Sequence, residues 1–410
     1  MRFRPLLLLF TCAGALAPLL AAGAGADVLT RITDLRPGAD DGLDGLAAAV
    51  LDGQLWFVGR PPGGGSALWR YDGVNPPTMV PGSDAADPAG LVAWNGKLYF
   101  GGGPNSDREL WVHDPIGGTV AEAVDVRASG NAVVEEIEAF GAWLCFAAFG
   151  DTTGRELFCW DGSGPADAVE LNPGAGDSYP SELHATASRL YVVAQVDGDV
   201  RLWSWNGADP PSLIAAAPSG EYDWPCCLAS AGGETYFEAF DSDFFGRLWR
   251  HDGVNPPEPV SADLEPDGWT GVYRNRLVLG ATNPPGGAPE AELWRLAPAG
   301  LARLSPGTPV ESADALAVVR DGLFARGFVA AGTATALYRY CGAGDVVALT
   351  DPFGGSDPEP AGERAIAFAG RLFFAAEDAA GQELWAFDSS HLFCDDFESG
   401  DTSWWTSSVP

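Results

Sequence analysis

Arg108-Glu-Leu-Trp-Val-His-Asp114 is said eight times, with variations, along this chain. The copies are LWRYDG from Leu68, LWVHDP from Leu110, LFCWDG from Leu157 and LWSWNG from Leu202. They continue as LWRHDG from Leu248, LWRLAP from Leu293, LYRYCG from Leu337 and LWAFDS from Leu384. Successive copies lie 42, 47, 45, 46, 45, 44 and 47 residues apart. A period in the mid-forties means a repeated supersecondary unit that must stack on its neighbours to bury its apolar face.

The unit around Arg108 shows the parts. Leu91–Trp94 is a short apolar run ended by Asn95-Gly96, then come Lys97–Phe100, a loop, Glu109–His113, Asp114–Gly118 and Thr119–Val126. Asn-Gly between two aromatic or β-branched runs is a strong hairpin signal, because both turn positions need positive φ. Asp52-Gly53, Asp321-Gly322 and Ala369-Gly370 stand at the corresponding places. The runs are strand-length and rich in Trp, Tyr, Phe, Val and Leu, and none has a helical period. Expected fourth strands are Thr78–Val80, Thr119–Val126, Ala168–Leu171, Ser212–Ala215, Glu258–Ser261, Leu301–Leu304 and Val346–Thr350. The eighth is missing from the last unit and stands at the front as Val28–Thr33. The pattern predicts an all-β, eight-bladed propeller of four-stranded antiparallel blades over residues 27–390, closed by the N-terminal strand.

Units such as Gly154-Arg-Glu-Leu-Phe-Cys-Trp-Asp-Gly162 and Gly381-Gln-Glu-Leu-Trp-Ala-Phe-Asp388 resemble the ELWxxDGT-repeat proteins, a secreted bacterial family of propeller-like repeats. Ala297 and Cys341 replace the motif Asp, and no copy keeps Thr after Asp-Gly. The resemblance covers about residues 28–390 and implies the fold; it implies no particular activity. Residues 391–410 form a separate C-terminal tail, which resembles the closing run of various exported bacterial proteins.

A basic start, a short apolar stretch and Ala24-Gly25-Ala26 before Asp27 describe a signal peptide over residues 1–26, and hence a secreted or periplasmic protein. The alternative is a lipoprotein anchored through Cys12. Cleavage leaves 21 basic against 56 acidic residues. Such a surface repels nucleic acid and anionic membranes, which need a basic footprint. No later run is long enough for a transmembrane helix, and a soluble monomer is expected.

The repeated Leu-Trp pairs suit blade-to-blade packing better than an exposed ring for stacking sugars. Asp followed by Gly (Asp72, Asp161, Asp252) suits the turn into the fourth strand. In an antiparallel four-stranded blade, the loop between strands two and three and the connection to the next blade share one edge. Those loops hold Asp40, Asp41, Asp44, Asp84, Asp87, Asp107, Asp151, Asp177, Asp241, Asp243, Asp263, Asp267, Asp357, Glu359 and Asp378, so one face should be strongly acidic. Asp40, Asp41 and Asp44, in a Gly-rich turn, are the candidate calcium ligands, although the spacing is not that of an EF-hand. His113, His184, His251 and His391 are scattered, and no catalytic motif is present. Six cysteines survive cleavage. Cys145 and Cys159 are equidistant from a hairpin tip and should pair; Cys226 and Cys227 could form a vicinal disulfide; Cys341 and Cys394 remain.

The sequence therefore predicts a non-enzymatic binding module taking a glycan, small molecule or protein on an acidic loop face, with calcium as candidate cofactor. An enzyme on the same scaffold is the alternative. Ala376-Glu-Asp378-Ala-Ala-Gly381-Gln-Glu-Leu-Trp385 resembles the Trp-docking repeat of quinoprotein dehydrogenases, one residue short between Asp and Gly. A polysaccharide lyase or hydrolase, or a structural surface adhesin, are the other readings.

Overall fold

Four short strands, each antiparallel to the last, recur eight times in chain order and form eight separate sheets around an axis. The first blade runs Ala48–Leu51, Gln54–Gly59, Ala67–Tyr71 and Thr78–Met79. The last runs Glu359–Phe368, Arg371–Asp378 and Gly381–Asp388, and takes its fourth strand from Val28–Arg31 at the head of the chain. Val28 pairs with Asp388 and Arg31 with Trp385, so the ring is closed by hydrogen bonds between the two ends of the repeat region. The sixth blade has its first strand in two pieces, Glu265–Pro266 and Gly271–Tyr273, both against Arg276–Thr282. First strands of neighbouring blades approach one another and line the axis. The computed structural model describes residues 28–388 except 39, 105–106, 215–221, 242, 262–263, 267–269, 283–291, 298–299, 305–310, 329–334, 343–345, 351–357 and 380. The expected signal peptide, the C-terminal tail, Cys394, Asp263, Asp267 and Asp357 lie outside the described residues.

The repeated pair Leu-aromatic explains why the blades stack. Adjacent strand residues point to opposite faces. Leu68 belongs to a core shared with the second blade, while Trp69 packs into a core shared with the eighth. The same division holds around the circle. Leu110, Leu157, Leu202, Leu248, Leu293, Leu337 and Leu384 each face the following blade. Trp111, Phe158, Trp203, Trp249, Trp294, Tyr338 and Trp385 each face the preceding one. Eight interblade cores result, and all eight motif leucines are buried. The Trp249 and Trp294 indoles donate to Ala239 and Ala281 carbonyls on their own second strands.

Two sequence readings shift in detail. The turn in the seventh blade is Arg320-Asp321, one residue before Asp321-Gly322, because Val319 pairs with Gly322. Fourth strands are shorter than expected, only two residues at Thr78–Met79, Ser212–Leu213 and Glu258–Pro259. Each follows a Pro-Pro pair (76–77, 210–211, 256–257), and proline has no N–H to extend a ladder.

Candidate functional site

Most sequence-derived site residues prove to be structural. Asp72 and Asp252 each accept from backbone N–H groups two and three residues on and from an Asn side chain, closing the turn into the fourth strand. The motif aromatics face the interblade cores and offer no exposed ring of stacking surfaces. Asp40, Asp41 and Asp44 are not brought together as a cation site: Asp40 pairs with Arg36, Asp41 accepts from the Gln382 N–H, and Asp44 pairs with Arg60 at 2.6 Å. Among the described residues their carboxylates do not converge within reach of one ion.

Two further repeated devices employ Asp, Asn and Glu side chains at the joints between blades. Asp41, Asp87, Asn131 and Asp177, in successive connections between blades, each accept from the backbone N–H two residues before a motif Leu: Gln382, Ser66, Arg108 and Arg155. They clamp each connection to the strand it must cross. Next to them the motif Glu is fully buried at Glu109, Glu156 and Glu383. Glu109 accepts from the Val126 and Ala132 N–H groups, Glu156 from Leu171, Asn172 and the Ser178 hydroxyl, and Glu383 from Leu35 and the Thr33 hydroxyl. Burial pushes the Glu109 carboxyl up to about 7, against the pull of those N–H donors, and raises Glu156 and Glu383 for the same reason. Where the Glu is replaced by Arg201 or Arg247, the guanidinium meets Asp223 or Asp241 instead. The sequence carried these signals as a Glu before Leu-Trp and an Asx some twenty residues after it.

The fifth and seventh blades depart from the inner strands of the second, third and fourth. Inner strands of the second, third and fourth blades carry one bulge, between Ala89 and Val92, Glu135 and Glu138, Ser181 and His184. In the fifth, Asp223–Ala231 carries two, between Asp223 and Cys226 and between Cys226 and Ala229, as does Glu311–Val319 in the seventh, between Glu311 and Asp314 and between Ala315 and Ala317. Trp224 and Cys227 sit at those bulges with φ of 51° and 60°, and Phe244 on the adjoining loop has φ of 60°. Positive φ is a strained choice for bulky residues and concentrates at functional positions. Trp224 is 63% exposed and Phe244 83%, with Phe240 and Phe245 beside them, and Trp224 meets Phe240 edge-on at 6.5 Å. Tyr179, from the connection into the fourth blade, lies at the same edge of its blade. These five are all the exposed aromatic residues among those described, and all are on the loop face.

Beneath this patch lies a polar group. Asp223 pairs with Phe240 at the mouth; the next registered pair inward is Cys226 with Glu238. Cys226, Cys227 and Glu238 bring one ligand atom each within 4.8 Å of the others. The expected vicinal disulfide is absent: Cys226 and Cys227 are two thiols with sulfurs 2.9 Å apart. Cys227 donates to Cys226, which lowers the Cys226 thiol and raises that of Cys227. Glu238 opposes motif Leu248, and the places opposite the other motif leucines are Val58, Gly101, Ala147, Val193, Gly280, Arg326 and Ala375. A carboxylate there is particular to the fifth blade. Cys145 and Cys159 are cross-strand partners and form a disulfide as expected. Cys341 is also disulfide-bonded.

Among the described residues, the remaining ionisable groups make no recognisable catalytic set. His184 Nε2 lies 2.8 Å from the Ser230 hydroxyl near the axis, but burial alone holds this imidazole below its usual range, with no neighbouring charge contributing. A base of that kind lacks the orienting carboxylate of a hydrolytic triad. His113 bonds to the Thr119 carbonyl and His251 to the Tyr191 hydroxyl, both inside the repeat core.

No protein-family model and no curated protein sequence matches the chain. Among solved structures it is similar to a Mycobacterium tuberculosis puromycin-hydrolyzing peptidase, with TM-score 0.51 and 13% identity over 85% of this chain and 60% of that one. It is also similar to a structure described in a study of two prolyl endopeptidases, with TM-score 0.52 and 10% identity over 87% of this chain and 55% of that one. At such identities the likeness is one of fold. The chain spans little more than half the length of either.

Proposed function

We propose that this protein is an exported, non-enzymatic propeller that binds a glycan on the loop face of its fifth blade. The observation that carries the reading is the gathering of every exposed aromatic among the described residues at that face, four of them on one blade. Aromatic faces offer stacking surfaces for the apolar sides of sugar rings, and the exposed Asp243 beside them offers an acceptor for hydroxyls. An exposed apolar patch rimmed by polar groups marks an interaction site where the other described aromatics are buried or half-buried. Export is supported by the leader-like residues 1–26 and by the Cys145–Cys159 disulfide. The Glu-Leu-Trp motif supports kinship with the ELWxxDGT-repeat propellers. A glycan panel probed with the mature protein and with Trp224→Ala tests the reading. Binding lost in the variant is expected; no binding, or binding indifferent to Trp224, would refute it.

The likeness to peptidase structures supports a second reading, in which the propeller serves an enzyme as a scaffold. Its observation on this chain is the Ser230–His184 pair. Covalent labelling of Ser230 by a fluorophosphonate would favour it; an unlabelled Ser230 removes it.

A further inference from the structure

We propose that Cys226, Cys227 and Glu238 hold one divalent transition-metal ion of the zinc class beneath the aromatic patch. This inference does not depend on which ligand the patch takes.

Adjacent residues of a regular strand point to opposite faces, so two neighbouring cysteines cannot ordinarily share a ligand. Here the bulge at Cys227, with its positive φ, turns both thiols to one side, 2.9 Å apart. The equivalent bulges of the third and fourth blades carry Glu135-Glu136 and Ser181-Glu182. Among the described residues, only in the fifth do two thiols meet a carboxylate from the neighbouring strand. A vicinal disulfide has no use for that third donor, whereas a metal does. Glu182 of the fourth blade is close enough to act electrostatically on both thiols, adding negative charge that a cation would offset.

Two sulfurs and one oxygen select a borderline metal such as Zn²⁺ over the hard cations Ca²⁺ and Mg²⁺, which take oxygen alone. Tetrahedral coordination with Zn–S bonds of ~2.3 Å needs sulfurs about 3.8 Å apart, so the thiols must spread by roughly 0.9 Å as the ion enters. Binding releases both thiol protons and leaves a fourth position for water or another donor. Coordination would also protect the pair from the oxidation that joined Cys145 to Cys159.

The test uses the full mature chain, mildly reduced under anaerobic conditions so that the buried Cys145–Cys159 bond survives, and titrated with Co²⁺. One Co²⁺ per chain is expected, with a thiolate-to-cobalt charge-transfer absorption that Zn²⁺ abolishes by displacement. Cys226→Ser and Cys227→Ser should each weaken binding on the order of 100-fold and Glu238→Gln about tenfold, the last retaining the absorption. Far-UV circular dichroism checks that the variants fold. In the unmodified protein, Zn²⁺ should shield both thiols from iodoacetamide, a readout that needs no substitution. Uptake without the charge-transfer band, uptake unchanged by Cys226→Ser, no uptake by the reduced pair, or thiols alkylated equally with and without Zn²⁺ would each overturn the proposal.

Discussion

The hydroxyl of Thr33 donates to Glu383 Oε2 across 2.6 Å, joining two fully packed residues 350 positions apart. Thr33 Oγ1 in turn accepts from the Leu384 N–H, and the Leu35 N–H caps the other carboxylate oxygen. The front of the chain is therefore locked to the last blade at the same place where Glu109 and Glu156 lock ordinary neighbours. The closure of the ring therefore uses the same joint as two of its internal seams and needs no separate fastening.

Thr33→Val removes a donor from a buried carboxylate and an acceptor from a buried N–H. It should lower stability by about 1–3 kcal/mol in denaturant unfolding. Deleting residues 28–33 should do more, exposing the edge of Gly381–Asp388 and driving self-association visible in size-exclusion chromatography. A truncated chain that stays monomeric and equally stable would show that the ring is held elsewhere.

Glu109 gives the pH dependence a sign. Its carboxyl titrates near 7 when folded and near 4.5 when exposed. Below 4.5 both states are protonated and the contribution is complete. As pH rises toward 7 the unfolded chain ionises first, and stability falls by up to about 1.4 kcal/mol per pH unit for this group. Above 7 the loss is finished. The buried histidines are shifted down and act in the opposite sense, so the measurement is the difference between the protein and Glu109→Gln in thermal melts from pH 4.5 to 8. The variant should lose the falling contribution; identical slopes would contradict the assignment.

The Cys145–Cys159 bond closes a short loop, with a sequence separation of 14. Cross-links of that size restrict the unfolded chain by about 3 kcal/mol. Cys145→Ala with Cys159→Ala should lower the unfolding free energy by about that order, and any further effect of added reductant should then come from the Cys341 disulfide alone.

Phe237 and Phe244 are seven residues apart with opposite fates. Phe237 is fully buried between the fourth and fifth blades, and its replacement by Ala should cost about 3–5 kcal/mol. Phe244→Ala should stay within about 0.5 kcal/mol of the parent while weakening any ligand of the patch. Loss of stability from the second substitution would make Phe244 a packing residue.

The repeat was legible because burial imposes it: each Leu-aromatic pair must serve two neighbours, and the spacing of the pairs counts the blades. The hairpin turns and the Cys145–Cys159 pairing followed from register on a single hairpin. The loops misled. Asp41 and Asp44 carry the composition of a cation site, but their oxygens are already held by Gln382 and Arg60, which the sequence places far away or leaves unassigned. Glu109, Glu156 and Glu383 went unread because a Glu beside a buried Leu looks like an ordinary alternating strand residue, and only the returning connection turns it into a buried acceptor.

What the amino-acid sequence determined by itself is the periodic part: eight units, four strands in each, and a first strand that belongs to the last blade, since local alternation and apolar burial leave no other arrangement. What only the tertiary structure decided is what the irregular inner strand of the fifth blade brings together. A second bulge at Trp224 lifts aromatics into solvent and turns Cys226 and Cys227 toward Glu238. Bulges depend on the register between paired strands, and register is a relation between strands that no single strand contains.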